Sequence, residues 1–335
     1  MEMISVVIIG RNEGQRLVDC IKSVQALEEL TEIIYVDSDS TDDSPKRAKE
    51  LGTKVIVIHP KRPTAAIGRN TGWKDATNSL ILFMDGDTIL DHNFLKVALP
   101  MFTDTKIAAI CGHYREIYPT ASIYQRVLDL DWMVPTGIVS SCGGIVLMRK
   151  SVLEEVDGYN PKLIAGEEPE MCQRIIAAGY TVHRIDQPMI LHDLAIKNWS
   201  QYWQRSVRTG HAYAEISSML AKSSLAKFYK EKAGGILWQR ESKKNFIRAG
   251  AWIAILVFGL LMTIFSWLPL LLSVGLFFGL SLRTSWKNRY KSNNYFSIFL
   301  YGLHSQFQHI PIMVGQLSYY YNRWHGKRRK LIEYK

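Results

Sequence analysis

Two acidic clusters carry residue types able to do chemistry. The stretch IAGEEPEMCQRI (164–175) sets Glu167, Glu168 and Glu170 within four positions, with Pro169 between them. Pro favours a first helical position and acids suit the positive end of a helix dipole, so helix-start chemistry accounts for part of this cluster. A carboxylate just before or inside such a first turn, close to a cleft, could also take a proton from a substrate. About 80 positions earlier, LILFMDGDT puts Asp85 and Asp87 one residue apart behind an apolar run. Gly86 between them lets the backbone turn and come close. Two carboxylates so placed suit Mg2+ or Mn2+ bridging a diphosphate. An ordinary strand-end turn uses the same residue types.

The elements that must position these acids follow from the apolar pattern. ISVVIIG is a continuous, β-branched apolar run, the mark of a buried parallel strand. RNEGQ follows, then the helical pattern LVDCIKSVQAL. EIIYVDSDSTDDS repeats the plan, with a strand ending in Asp37 and a helix opening near Ser44-Pro45. TKVIVIHP is a third strand, AAIGRNTGWKDAT a helix, and SLILFMDGDTILD a fourth strand with an acidic end. Strands alternating with helices predict a parallel sheet with helices on both faces, and ligands in such sheets lie at the carboxyl ends of the strands. Arg11, Asn12, Glu13, Asp37, Asp39, Asp42, Asp85 and Asp87 all collect at that edge. Neither G-x-G-x-x-G nor G-x-x-x-x-G-K-[ST] is present, so phosphate handling there calls for a metal or for Arg/Lys clamps.

In this order the pieces resemble the family 2 glycosyltransferases, which have the GT-A fold. SVVIIGRNEGQRLVDCIKSV is similar to that family's opening strand and nucleotide loop, YVDSDSTDDS to its base-and-ribose turn, GRNTGWKDA to its R-N-x-G stretch and LFMDGDT to its D-x-D. SSCGGIVLMRKSVLEEVDGYNPKLIAGEEPEMCQRIIAAGY resembles its acceptor-side block, and the likeness covers roughly 3–215. The resemblance implies an α/β, GT-A architecture: a Rossmann-like mixed sheet, mostly parallel, flanked by helices. It implies inverting transfer from a UDP- or GDP-sugar, with Arg11, Asn12, Glu13, Asp37, Asp39, Arg69 and Asp85 on the donor. Asp85, Asp87 and His192 would hold Mg2+ or Mn2+. Gly143 and Gly144 would lie on the acceptor and diphosphate side. The family's D-D or D-S-G is Asp37-Ser38-Asp39 here, which leaves contact of Asp39 with the nucleoside open. Its E-D pair is Glu167-Glu168, which makes Glu168 the expected base, on a side chain one methylene longer, and Glu167 the residue that orients the site. NWSQYWQRSVRTGHAYAE looks like a diverged Q-x-x-R-W helix, with Gln204, Arg205 and Arg208 near acceptor and diphosphate. An amphipathic helix lying on a bilayer explains the same aromatics and arginines equally well.

Charge and hydropathy describe the remainder. The formal net charge is +10, and from Asn245 onward there are eleven Lys/Arg against one acid, so the rest of the chain is balanced. A nucleic-acid stripe across the main domain is therefore not expected. Residues 249–282 contain no ionisable side chain. At ~1.5 Å per residue one straight helix of that length would reach about 50 Å against a ~30 Å hydrocarbon core, and Pro269 lies near the middle, so a hairpin of two membrane helices is predicted. Basic flanks at 283–294 and at the C-terminus favour a cytoplasmic position for both. MEMISVVIIG has an early acid and a short apolar run, so no signal peptide is expected. The four cysteines show no metal or redox spacing and read as reduced packing residues.

The organisation expected is a GT-A catalytic domain over 1–220, a basic juxtamembrane linker over 221–248 favouring anionic lipid, a transmembrane hairpin over 249–282, a third membrane or interfacial helix over 295–321, and a basic cytoplasmic tail over 322–335. The leading expectation is a multi-pass cell-membrane enzyme whose catalytic domain faces the cytoplasm and whose acceptor is a lipid-linked or growing glycan. A polyprenyl-phosphate sugar synthase is the alternative, less favoured because a phosphate acceptor has little need of a base. A catalytically silent membrane scaffold is disfavoured by intact Asp85, Asp87 and Glu168.

Overall fold

The computed structural model describes residues 3–27, 31–232 and 234–327; the end of the basic tail, 328–335, lies outside the described residues. In chain order the first elements are β1 (Ile4–Gly10), α1 (Gln15–Gln25), β2 (Thr31–Asp37), α2 (Ser44–Glu50), β3 (Lys54–Val57), α3 (Ala65–Asp75), β4 (Leu80–Asp85) and β5 (Thr88–Leu90). There follow α4 (Phe94–Ala98), β6 (Ile107–Glu116), α5 (Ile123–Asp131), β7 (Gly137–Ile138), β8 (Val146–Arg149), α6 (Lys150–Glu155), α7 (Glu167–Ala177) and β9 (Thr181–His192). The remainder is helical: α8 (Trp199–Leu220), α9 (Ala226–Glu231), α10 (Gln239–Met262), α11 (Leu268–Lys287), α12 (Tyr295–Phe307) and α13 (His309–Trp324).

These elements form two compact units, Met1–Ile117 with Val134–Leu194, and Tyr118–Met133 with Ala195–Lys335. The first holds one mixed sheet in the order β3-β2-β1-β4-β8-β6-β9-β5, with β7 paired to β9. β3, β2, β1 and β4 pair in parallel, as their unbroken apolar runs predict, and β8 turns the sheet antiparallel. Ile4 to Ile8 in β1 and Leu80 to Met84 in β4 are buried, so these two strands are covered on both faces. Gly72 in α3 is required by this packing, because a Cβ there would lie 2.2 Å from Cγ1 of Val7. All four cysteines are buried and free. Burial pushes the Cys20 thiol up to about 12 and Cys111 up to about 11, which suits packing rather than reaction.

The second unit is all helical. The sequence reading ends its catalytic layer at 220, whereas the first unit ends at Leu194 and α5 groups with the C-terminal helices. Polar contacts explain that grouping. Arg126 of α5 donates to Ser297 of α12 at 3.0 Å, and His304 of α12 bridges Asp131 of α5 (3.0 Å) to the Tyr202 hydroxyl of α8 (2.7 Å). Asn198 caps α8 in a reciprocal capping box with Gln201, which fixes where that helix begins. The uncharged stretch is two helices turning between Met262 and Leu268, with Ile264 and Phe265 at the turn each 81% exposed. Residues 295–324 form two helices broken at Gln308, of 13 and 16 residues.

α8 and α13 meet through glycines. A Cβ on Gly210 would fall 1.9 Å from the Ile312 carbonyl oxygen, and one on Gly315 would fall 2.0 Å from that of Val207. Gly210→Val should therefore force the helices apart and lower stability by about 3 kcal/mol or more. Thermal unfolding of the purified protein tests this against Gly275→Ala, a mid-helix site with nothing within 4 Å, which should unfold at or slightly above the wild-type temperature.

Candidate active site

Arg69 is the centre of the first unit's acidic edge. It belongs to α3, which starts at a Thr64 cap accepting from the Ile67 amide, and it is 2% exposed. Nη1 donates to Glu168 Oε1 at 2.7 Å and to Glu167 Oε1 at 3.1 Å, and Nη2 donates to Asp85 Oδ1 at 2.9 Å. One guanidinium thus joins the end of β4 to the first turn of α7. The planar fork of arginine makes this possible; a lysine ammonium has no second arm. Gly144 closes the cluster from β8's side: a Cβ there would lie 2.3 Å from Arg69 Nη2 and 2.8 Å from Glu168 Oε1. Gly143 packs on Tyr114 with a would-be Cβ at 2.8 Å.

Three carboxylates share this one cation. Burial works against the Arg69 charge, but Glu168 and Asp85 outweigh it and hold its pKa well above the ordinary arginine value. On the acidic side, burial first and the neighbouring Glu167 charge second push Glu168 up to about 7, with Arg69 opposing. Glu168 keeps 14% of its side chain exposed while Glu167 keeps 5%. An outward carboxyl with a pKa near neutrality and an inward carboxylate beside it divide the pair into a group able to exchange a proton and a group that sets its environment. Glu170 does neither. It pairs through both oxygens with Arg174 at 2.9 and 2.8 Å, and Arg174 also donates to the carbonyls of Gly158 and Val156. That pairing anchors the loop before α7.

The second constellation is Asp87 with His192. β9 ends opposite β5, with His192 in register with Thr88, and this brings His192 Nε2 to 3.1 Å from Asp87 Oδ1. A carboxylate oxygen and an imidazole nitrogen converging from elements 105 positions apart are a donor pair suited to a small divalent cation. Among the described residues no set of three His, Cys, Asp or Glu side chains comes together for a metal, and Asp85 accepts from Arg69 instead. Mg2+ is usually held by one or two carboxylates with substrate phosphates, so Asp87 fits that mode and His192 would be an additional, softer donor beside it.

The loop residues after β1 and β2 hold each other. Asp37 is fully buried and accepts from the Tyr35 hydroxyl at 2.7 Å, the Ser40 amide at 2.8 Å and the Ser40 hydroxyl at 2.6 Å. Asn12, with φ of +57°, donates its amide to Ser40 Oγ and accepts from the Thr41 amide, each within 3 Å. Glu13 pairs with Arg16 at 2.8 Å, and Arg11 is exposed. Asp39, also at positive φ, is exposed and lies 2.7 Å from His59 Nδ1. Gln204, Arg205 and Arg208 belong to α8 in the second unit; Gln204 donates to Ser200 at 3.2 Å.

Sequence reasoning missed Asn70, Tyr159, Tyr35 and His59. Asn70 donates to the Tyr159 carbonyl at 2.7 Å and accepts from its amide at 2.9 Å. Tyr159, buried against Phe83, places its ring 5.6 Å from the Arg69 guanidinium carbon. The signal was there in GRN: one residue of the pair reaches the acids and the next holds the wall behind them.

A sheet whose parallel half turns antiparallel at β8, with acids gathered at its carboxyl edge, is a GT-A fold. Residues 5–157 match the profile described as Glycosyl transferase family 2. Residues 130–196 match a second profile, the N-terminal domain of galactosyltransferase. The chain is 28% identical over 203 residues to the O-antigen chain rhamnosyltransferase WbaN of Salmonella anatum, covering 55% of this chain and 63% of that protein. It is 22% identical to the glycosyltransferase AglE of Haloferax volcanii, covering 54% of this chain and 64% of AglE. The chain thus spans under two thirds of the length of these curated relatives. In fold it is similar to the mannosyltransferase PcManGT of Pyrobaculum calidifontis, solved with GDP-Man and Mn2+, at a TM-score of 0.58 and 12% identity over 96% of this chain and 87% of that one.

Proposed function

We propose that the protein is an inverting glycosyltransferase that moves a sugar from a UDP- or GDP-sugar to a hydroxyl of a lipid-linked or growing polysaccharide acceptor. The observation that carries this reading is the Arg69 bridge between Asp85 and the Glu167–Glu168 pair. It joins an acid suited to the donor side to an acid suited to the acceptor side. Glu168 removes the acceptor proton as the hydroxyl oxygen bonds to the anomeric carbon; the bond from that carbon to the diphosphate oxygen breaks on the opposite face, and the nucleoside diphosphate leaves. Glu167 lies beside Glu168 and, after burial, is the neighbour that raises the proton affinity of Glu168. Asp87 and His192, with Asp85 if it turns from Arg69, would hold Mg2+ or Mn2+, which when bound neutralises charge on the leaving diphosphate. Arg11, Asn12, Glu13, Asp37 and Asp39 shape the nucleoside side, with Asp37 acting through the loop it fixes. Gly143 and Gly144 are assigned to the acceptor and diphosphate side, where Gly144 makes room for Arg69 and Glu168 and Gly143 for Tyr114. Gln204, Arg205 and Arg208 are assigned to acceptor or diphosphate contact. A raised carboxyl pKa suits a hydroxyl acceptor better than an already ionised lipid phosphate.

Relatives described as an O-antigen chain rhamnosyltransferase and a poly-beta-1,6-N-acetyl-D-glucosamine synthase support a glycan-building role. The full chain, purified and supplied with Mn2+, should hydrolyse or transfer from at least one UDP- or GDP-sugar. A complete panel giving neither binding nor turnover overturns the reading.

The reading includes a cell-membrane location. α10 and α11, at 24 and 20 residues, are long and apolar enough to cross a membrane. The 18 residues from Asn245 to Met262 of α10 would reach ~27 Å and α11 ~30 Å against a ~30 Å hydrocarbon core. Their contact includes small residues, with Ser273 donating to the Ile255 carbonyl at 3.2 Å and a would-be Cβ on Gly259 2.8 Å from Ser273 Oγ, beside the edge-to-face pair Trp252–Phe277, as suits helices packing in lipid. The hairpin would leave both ends, and the catalytic unit, in the cytoplasm. A tag inserted at 290 should then resist labelling from outside intact cells; external labelling refutes the orientation.

A further inference from the structure

We infer that the second unit holds one anionic phospholipid of the bilayer in the groove between the C-terminal end of α8, the first turns of α10 and α13. The groove encloses about 580 Å³, within the range of small-molecule sites. Its floor is polar and already satisfied. Gln316 donates to the Ser242 hydroxyl at 2.6 Å and to the Ser242 carbonyl at 3.0 Å, and accepts from Asn245 at 3.1 Å. This network pins α10 to α13 and keeps the groove open without needing the ligand. Its walls are apolar side chains left in the open: Phe246 is 41% exposed, Ile247 59%, Leu317 46% and Tyr320 48%. At its rim stand Lys222 and Lys243, both exposed and neither ion-paired among the described residues, and no acid lines it. Arg323, beyond Tyr320 on α13, donates to Ser218 of the groove wall at 2.6 Å.

Depth selects the occupant. The groove lies where α10 changes character: Arg240, Lys243, Lys244 and Arg248 occupy its first turns, and the uncharged stretch begins at Ala249. If that stretch lies in hydrocarbon, the groove is level with the headgroups. Cations at the rim with apolar walls below match a phosphate joined to acyl chains, which a free phosphate or a peptide would fill only in part. The inference rests on the membrane reading of α10 and α11 and adds a defined lipid site to it.

The test uses detergent-purified full chain. Flotation with phosphatidylcholine vesicles, alone or containing phosphatidylglycerol, reads membrane attachment; native mass spectrometry reads retained lipid. Wild type should float with both vesicles and retain one phosphatidylglycerol. Lys222→Gln/Lys243→Gln should still float on phosphatidylcholine and retain phosphatidylglycerol about tenfold less or lower. Ala221→Trp, which fills the groove with no change of charge, should also lose it, and Lys227→Gln/Lys230→Gln on α9 should not. Equal loss in both lysine pairs, or equal retention of phosphatidylcholine and phosphatidylglycerol by the wild type, overturns the site while leaving the membrane anchor standing. Failure to float with either vesicle overturns both.

Discussion

Glu168→Gln should lower sugar transfer by about 10³-fold while leaving donor binding near the wild-type value. General bases contribute roughly 10²–10⁴ in rate, and the amide keeps the shape and one acceptor oxygen for the Arg69 bond at 2.7 Å. Titration calorimetry with the preferred sugar nucleotide and a transfer assay separate the two effects. The wild-type pH profile adds a second readout. Glu168 is pushed up to about 7, by burial and then by Glu167. Only its ionised form accepts a proton, so transfer should be low in acid, rise about tenfold per pH unit below that value, and level off above it. Glu168→Gln should abolish this limb. Transfer that survives in the variant with the limb intact would reassign the base to Glu167, since Glu170 is held by Arg174.

How far this site was legible from sequence depends on range. The strands β1, β2 and β4 could be read because a buried parallel strand writes an unbroken apolar run. The acids at their ends followed from chain direction alone. What could not be read was partnership. Asp37 reads as a ligand because it ends a strand, but Tyr35 two residues earlier points to the same face and, with Ser40, takes up its carboxylate. The Arg69 bonds span 16, 98 and 99 positions, and no local pattern records a contact of that length. His192 was found only because a resemblance marked its position; the register of β9 on β5 then carried it to Asp87. The division of units was hidden for a similar reason. The polar residues that group α5 with α12, Arg126 and Asp131, look in sequence like any solvated helix face.

Replacing Arg69 should produce the second large effect, and two substitutions separate its roles. Arg69→Met leaves Glu167, Glu168 and Asp85 gathered without a cation, at sites 5%, 14% and 31% exposed. Breaking a buried ion pair from one side costs about 3–5 kcal/mol, so this variant should unfold at markedly lower temperature or fail to accumulate. Arg69→Lys keeps the charge but loses the fork. A single ammonium can satisfy the α7 acids or Asp85, not both with arginine's geometry. This variant should fold, and its transfer rate should fall by about 10²-fold as the two halves of the site lose their common tether. The pH limb discriminates further. Arg69 is the group that opposes the upward push on Glu168, so weakening it should move the midpoint of the acid limb to higher pH, by about one unit for each ~1.4 kcal/mol of lost stabilisation of the carboxylate. A residue that served packing alone would lower thermal stability and leave that midpoint where it was. A midpoint unmoved in Arg69→Lys, with transfer reduced only in proportion to folded protein, would therefore remove Arg69 from the chemistry and leave Glu168 tuned by burial and Glu167.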